Sequence, residues 1–272
     1  MPRDFSLRWA ELLHEALTRP GLIHEAYSRF HGYSFGNRIA ALSQCFERKI
    51  PPGPIATFQK WCGLGRIVKR GEKALYLCMP VQVKRREEKE TDDPEEKTIT
   101  VFLWKPHWFV LSQTEGKEFI PEPIPGWSKE KALASVGIEE IPFDLTDGNV
   151  LGFARGRQVA VSSIAPLPMK TLFHEIGHVV LGHSAEILPA EEERIPRNLA
   201  EVEAEAVALI CCEALGLPGA EFCRGYIQKW IGQGAEIPEV AARRIFAAAG
   251  KILEAGAADG FNVGPEEGGK AA

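Results

Sequence analysis

Two histidines four residues apart, with a glutamate beside the first, are the residues of this chain best suited to chemistry: His174-Glu175-Ile176-Gly177-His178. On a helix, positions i and i+4 share a face, so both imidazoles can reach one ion. Glu175 then stands within reach of a water on that ion without being a ligand itself. Two His on Zn²⁺, a third protein ligand from elsewhere and a Glu as general base are the parts needed for metal-assisted hydrolysis. The pentapeptide alone is a weak signal, and its surroundings strengthen it. Leu172, Phe173, Ile176, Val179 and Val180 make the segment amphipathic, Pro166 and Pro168 set where it can start, and Gly182 can end it. His183 follows the second His by five residues, not the six that a third His ligand needs, and reads as a residue at the helix C-terminus.

A second helical stretch, residues 199–215, must supply the third ligand, and it carries Glu201, Glu203 and Glu205. At about 100° per residue, Glu203 points roughly 200° away from Glu201, whereas Glu205 lies only about 40° from it. A ligand Glu with a second acid one turn on can hold the ion and orient a ligating His through its outer nitrogen. The Glu201/Glu205 pair suits that division, and the apolar residues on most sides of the helix do not say which member is the ligand.

The elements before these helices alternate in type. An amphipathic helix over 5–18 ends at Pro20-Gly21, a turn spans 32–37, and a second helix runs over 38–47. A short helix at 57–61 precedes two β-type runs, 74–83 and 98–111, separated by the charged stretch 84–97, read as a solvated hairpin tip. The Pro-rich stretch 121–126 reads as a linker. Beyond it come a helix at 129–135, strands near 138–143, 151–154 and 158–162, the two metal-site helices, and helices near 220–231 and 238–255. The expected architecture is α+β in two domains, 1–120 and 127–258, with a tail at 259–272 too poor in apolar residues to fold. The second domain is expected to be mainly helical with a short antiparallel sheet.

Charge divides along the same line. Residues 1–86 carry 15 Lys and Arg against 6 Asp and Glu, a net +9, and the remainder carries −14. A basic N-terminal half points to nucleic acid. Sequence-tolerant binding of single strands needs a positive groove and aromatic faces. The candidates are Arg38, Lys60, Arg66, Lys69, Arg70 and Lys73 for the groove, Tyr33, Phe35 and Trp61 for stacking, and Asn37 as a donor. No apolar run approaches membrane-spanning length and no signal-peptide core follows Met1, so a cytoplasmic protein with no membrane partner is expected. The six cysteines form no CxxC pair and read as reduced thiols.

Several phrases of the first half occur together and in order: Tyr33-Ser34-Phe35-Gly36-Asn37, Thr57-Phe58-Gln59-Lys60-Trp61, Gly65-Arg66-Ile67-Val68-Lys69-Arg70-Gly71-Glu72-Lys73, and Phe109-Val110-Leu111-Ser112-Gln113-Thr114-Glu115-Gly116. They resemble the N-terminal domain of the ArdC-type antirestriction proteins of plasmids and phages. The resemblance implies single-stranded-DNA binding by the first domain and a zincin-like metallopeptidase fold in the second, to which His174–His178 and Leu199–Glu205 are similar. The gluzincin likeness places the third Zn²⁺ ligand at Glu201 and gives Glu205 the orienting role. Residues 127–165 look closer to the small IrrE/ImmA-type peptidases. Three functions follow. One is a DNA-binding antirestriction protein with a zinc-dependent metallopeptidase centre acting on a protein or peptide. The others are a peptidase that cleaves a DNA-bound regulator and a DNA-shielding protein with structural zinc. In the enzymatic readings Glu175 is the catalytic base, and Val159-Ala160-Val161-Ser162 is the edge strand along which a peptide would lie.

Overall fold

Leu12, Leu13, Ala16 and Leu17 recur at helical spacing and are buried, which fixes the inward face of the first helix, α1 (Trp9–Thr18). The computed structural model describes residues 7–30, 32–86, 96–121, 124, 126–147, 149–184 and 196–258. Most of the charged stretch 84–97, part of the 121–126 linker and the 259–272 tail lie outside the described residues. After α1 come α2 (Leu22–Arg29), α3 (Phe35–Arg48), β1 (Ile55–Thr57), α4 (Phe58–Gly63), β2 (Arg66–Val68), β3 (Leu75–Arg86), β4 (Glu96–Val110) and β5 (Thr114–Gly116). The second half holds α5 (Lys129–Val136), β6 (Glu139–Glu140), β7 (Gly152–Arg155), β8 (Gln158–Val161), α6 (Pro168–Leu181), α7 (Arg197–Ala214), α8 (Ala220–Ile231) and α9 (Glu239–Gly256). The class is α+β. Helix α2 was not expected from sequence, and the expected turn at 32–37 is already helical from Phe35.

The strands make three small sheets, ordered β1-β4-β3, β2-β5 and β6-β8-β7. The last is mixed, because β6 runs parallel to β8 while β7 is antiparallel to it. Strand β3 lies at an edge of its sheet, and side chains of α3 cover that edge. Asn37 donates to the Cys78 carbonyl (3.0 Å) and accepts from the Cys78 N–H (2.8 Å). Gln44, seven residues on and so on the same helix face, does the same for Tyr76 at 2.8 and 2.9 Å. The two amides reproduce the pattern of a neighbouring strand and shield the edge from pairing with another chain.

Helices α1 and α2 lack N-capping side chains of their own, since Arg8 and Gly21 stand at those positions. Carboxylates from the second half serve instead. Glu239 at the start of α9 accepts from the N–H groups of Trp9 (3.0 Å) and Ala10 (2.9 Å), and Glu213 of α7 accepts from the N–H of Ile23 (3.2 Å). The buried core is likewise one cluster on both sides of residues 121–126, joining Leu13 and Ile39 to Ile210 and Ile252.

Replacing Asn37 with Ala leaves both polar groups of Cys78 without this partner in a dry setting. Equilibrium denaturant unfolding of Asn37→Ala is expected to show a loss of about 2–4 kcal/mol. Unchanged stability would show that the α3 amides do not support the sheet edge.

Candidate metal centre

Pro168 in the first turn of α6 and Gly182 in the left-handed conformation at its end (φ 81°) give the helix the bounds expected from sequence. Its inner face packs on α7, and the two backbones lie close together at Gly177. A Cβ there would lie 3.4 Å from both the Cα and the carbonyl oxygen of Ala204. That close crossing lets a side chain of α7 reach across both histidines.

The histidines turn their outer nitrogens away from each other and their Nε2 atoms together. His174 Nε2 and His178 Nε2 are 3.2 Å apart, and Glu201 Oε2 lies 3.5 Å from the first and 3.6 Å from the second. A tetrahedral ion with bonds of about 2.0–2.1 Å holds its ligand atoms about 3.3–3.4 Å apart. Among the described residues, His174, His178 and Glu201 are the group of three that fits a metal ion. Two imidazoles and one carboxylate leave a fourth position open, the donor set of a hydrolytic site.

Each of the two imidazoles is backed on its outer nitrogen. His174 Nδ1 is 2.8 Å from Glu205 Oε2, and Lys170 pairs with the same carboxylate at 2.8 Å. His178 Nδ1 is 3.1 Å from His183 Nδ1, whose Nε2 is 2.8 Å from Glu203 Oε2. Only one tautomer series satisfies this second chain when His178 presents its Nε2 lone pair to an ion. His178 donates from Nδ1 to His183 Nδ1, and His183 donates from Nε2 to Glu203. Arg244 of α9 closes the chain, donating to the Leu181 carbonyl (2.9 Å) and lying 3.5 Å from Glu203. His183, Glu203, Lys170 and Arg244 were not assigned a part from sequence. An HxxxxH interval that spans a helix end and its Gly cap could have flagged His183.

The electrostatics favour a cation. Hydrogen bonds from His174 and His178 hold the Glu201 carboxyl well below the usual carboxylate range. Burial, the largest influence on Glu205, raises it, but hydrogen bonds from His174 and Lys170 outweigh burial and bring it down to about 2. Burial lowers His174, and its hydrogen bonds to Glu201 and Glu205 together raise it to about 9. Glu175 is not part of the triad; it is buried, and desolvation raises its carboxyl. Strand β7 runs past it, since a Cβ on Gly152 would sit 3.0 Å from Glu175 Oε1. The edge strand beside the site is therefore β7. Strand β8, which contains Val159–Val161, is paired on both sides, and the expectation that it offers a free edge is corrected.

The residues expected to meet a nucleic acid divide sharply. Phe35, Asn37, Arg38 and Trp61 are buried and belong to the interior. Arg38 donates to the Tyr33 carbonyl (2.7 Å) and lies over the Tyr27 ring; Trp61 donates to the Phe109 carbonyl (2.8 Å). Tyr33 is half-buried with its hydroxyl on the Ile55 carbonyl (3.0 Å). Arg66 is half-buried, tied to Thr114 and the Lys117 carbonyl. Lys60, Lys69, Arg70 and Lys73 are exposed, and near them in sequence stand exposed Phe58 and Ile67, which no local pattern singles out. Burial of a polar residue depends on distant partners such as Cys78, and no local pattern shows them.

Residues 9–106 match the family model described as the N-terminal domain of anti-restriction factor ArdC. The chain is also similar to two crystal structures of the antirestriction ArdC protein from the R388 plasmid. The metal-free one has 17% identity and a TM-score of 0.53, covering 92% of this chain and 95% of that one. The Mn(II)-bound one has 18% identity and a TM-score of 0.50, covering 92% and 96%. No curated protein sequence matches significantly. Among the described residues, no helix is long and apolar enough to cross a membrane.

Each backing contact makes a prediction for divalent-metal affinity, measured by competition with a chromophoric chelator. Glu201→Ala is expected to abolish binding, whereas Glu205→Ala and His183→Phe each weaken it by about 10–100-fold. Wild-type affinity in folded His183→Phe would show that the Glu203–His183 chain is packing alone.

Proposed function

We propose that this chain, similar to ArdC in fold over 92% of its length and in sequence over residues 9–106, binds single-stranded DNA with its N-terminal half and cleaves a peptide bond at its His/Glu centre. Zinc is the proposed working ion and antirestriction on a mobile element the proposed setting. The observation that carries the enzymatic part is the convergence of His174 Nε2, His178 Nε2 and Glu201 Oε2 within 3.2–3.6 Å of one another. A buried carboxylate, Glu175, follows the first ligand. Mn(II) in the R388 protein supports a divalent ion in this fold.

When bound, such an ion supplies Lewis acidity toward a carbonyl oxygen and lowers the pKa of a coordinated water. The chain's own residues do the rest. Glu175, made more basic by desolvation, takes a proton from the attacking water and returns it to the leaving amine. Glu205 and His183 keep both ligating rings from turning. Strand β7, at the edge of its sheet and against Glu175, is placed to pair with an extended peptide through its backbone. The DNA part rests on the net +9 of residues 1–86 and on the exposed cluster Lys60, Lys69, Arg70 and Lys73, with Phe58 as its aromatic face.

Two outcomes are expected. Glu175→Gln retains the ion, by metal analysis, and loses peptide cleavage by about 10²–10⁴-fold; cleavage at the wild-type rate would remove Glu175 from the chemistry. Reversing Lys69 and Arg70 to Glu weakens binding to single strands of any sequence and flattens its salt dependence by about one to two ions released. Equal binding by the double variant would move the DNA surface elsewhere.

A further inference from the structure

A cavity of about 430 Å³ opens where α1, the start of α3, strands β3 and β4, and α9 meet. It shares no residue with the metal centre. Its walls are aromatic: Trp9, Phe35, Phe102 and Phe246 line it. Trp9 lies against Gly36, where a Cβ would come within 2.4 Å of its ring, and it packs on Trp104 (5.2 Å between centroids) and edge-on to Phe246 (5.9 Å). The fourth ring is different. Phe102, on β4, is 64% exposed, a large apolar face held at the mouth in water. Its volume is that of a small-molecule site, and a single aromatic heterocycle fits such walls.

Two cations stand along one wall of the cavity. Arg243 and Lys251 line the cavity from α9, eight residues and so about 12 Å apart along the helix axis. Among the described residues, Arg243 makes a long, partly exposed i,i+4 pair with Glu239 at 3.7 Å and Lys251 has no ion-pair partner. Polar groups are few: the Ser34 hydroxyl, which does not cap α3, and the Glu254 carboxyl, which burial raises. An apolar peptide side chain would have no use for the two cations. A base with a phosphate on either side uses the rings and both cations.

We propose that this cavity seats one base of a single DNA strand, stacked on Phe102 and Trp9, with the flanking phosphates on Arg243 and Lys251. The proposal rests on the single-strand reading above and adds to it a base-binding subsite at the seam between the two halves of the chain. Base–aromatic stacking is tolerant of sequence, so the pocket accepts any base. The strand would then lie on α9, the helix whose Arg244 touches the Glu203–His183 chain.

The test uses the full chain and a 12-residue oligothymidylate bearing one central 2-aminopurine. Anisotropy of an end label reports binding, and 2-aminopurine emission reports stacking. Wild type is expected to bind and to quench the emission. Phe102→Ala, at an exposed position, is expected to abolish quenching and weaken binding by roughly 5- to 150-fold, the range of one stacked base. Arg243→Glu should weaken binding with the quenching retained at saturation. Wild-type binding and quenching in both variants would overturn the pocket and leave the DNA reading standing. Absence of strand binding by wild type at any salt would overturn both. Displacement of the strand by thymidine monophosphate alone, at comparable concentration, would make this a site for free nucleotides and overturn the assignment to a strand.

Discussion

Everything at the metal centre depends on how closely α6 and α7 cross. Glu201 is on one helix and both histidines are on the other, and a carboxylate spans that gap only if the backbones nearly touch. Gly177 against Ala204 provides the contact. The neighbours that hold this crossing are polar as well as apolar. Trp127, donating to the Ile252 carbonyl at 3.3 Å, packs edge-on to Phe173 of α6 and fixes that helix against α9. Lys170 and Glu205 form a half-buried pair between α6 and α7. Such a pair costs desolvation, and its return here is orientation of His174 as much as stability.

The same economy of long-range polar contacts ties the two halves together. Two helices that begin without capping side chains are capped by Glu213 and Glu239 from the other half, and a sheet edge is sealed by Asn37 and Gln44. Composition and charge change at 121–126, and packing and capping run across these residues. Arg224 belongs to this seam as well, paired with Glu213 and donating to the Leu17 carbonyl. The two halves therefore share helix caps as well as core.

The legibility of these features in sequence follows from the range of the interactions. The spacing of His174 and His178 and the 100° steps of Glu201, Glu203 and Glu205 are properties of one helix each, so their grouping could be read directly. Helices α8 and α9 were legible for the same reason. Asn37 and Arg38 looked like ligand-binding groups because a polar residue near a glycine is indistinguishable, locally, from one that will bond to a strand 41 residues away. Strand β8 looked like an edge because its apolar run says that it is buried, not which strands flank it. His183 was visible as a residue at a helix end; its partner Glu203 belonged to another helix.

The central claim is that His174, His178 and Glu201 hold one divalent ion through two imidazoles and a carboxylate. X-ray absorption at the metal edge of the zinc-loaded chain measures this directly. One ion per chain is expected, with nitrogen and oxygen donors at about 2.0–2.1 Å and the outer-shell scattering of two imidazoles, reduced to one in His178→Ala. An all-oxygen shell without imidazole scattering, or a spectrum unchanged in His178→Ala, would contradict it.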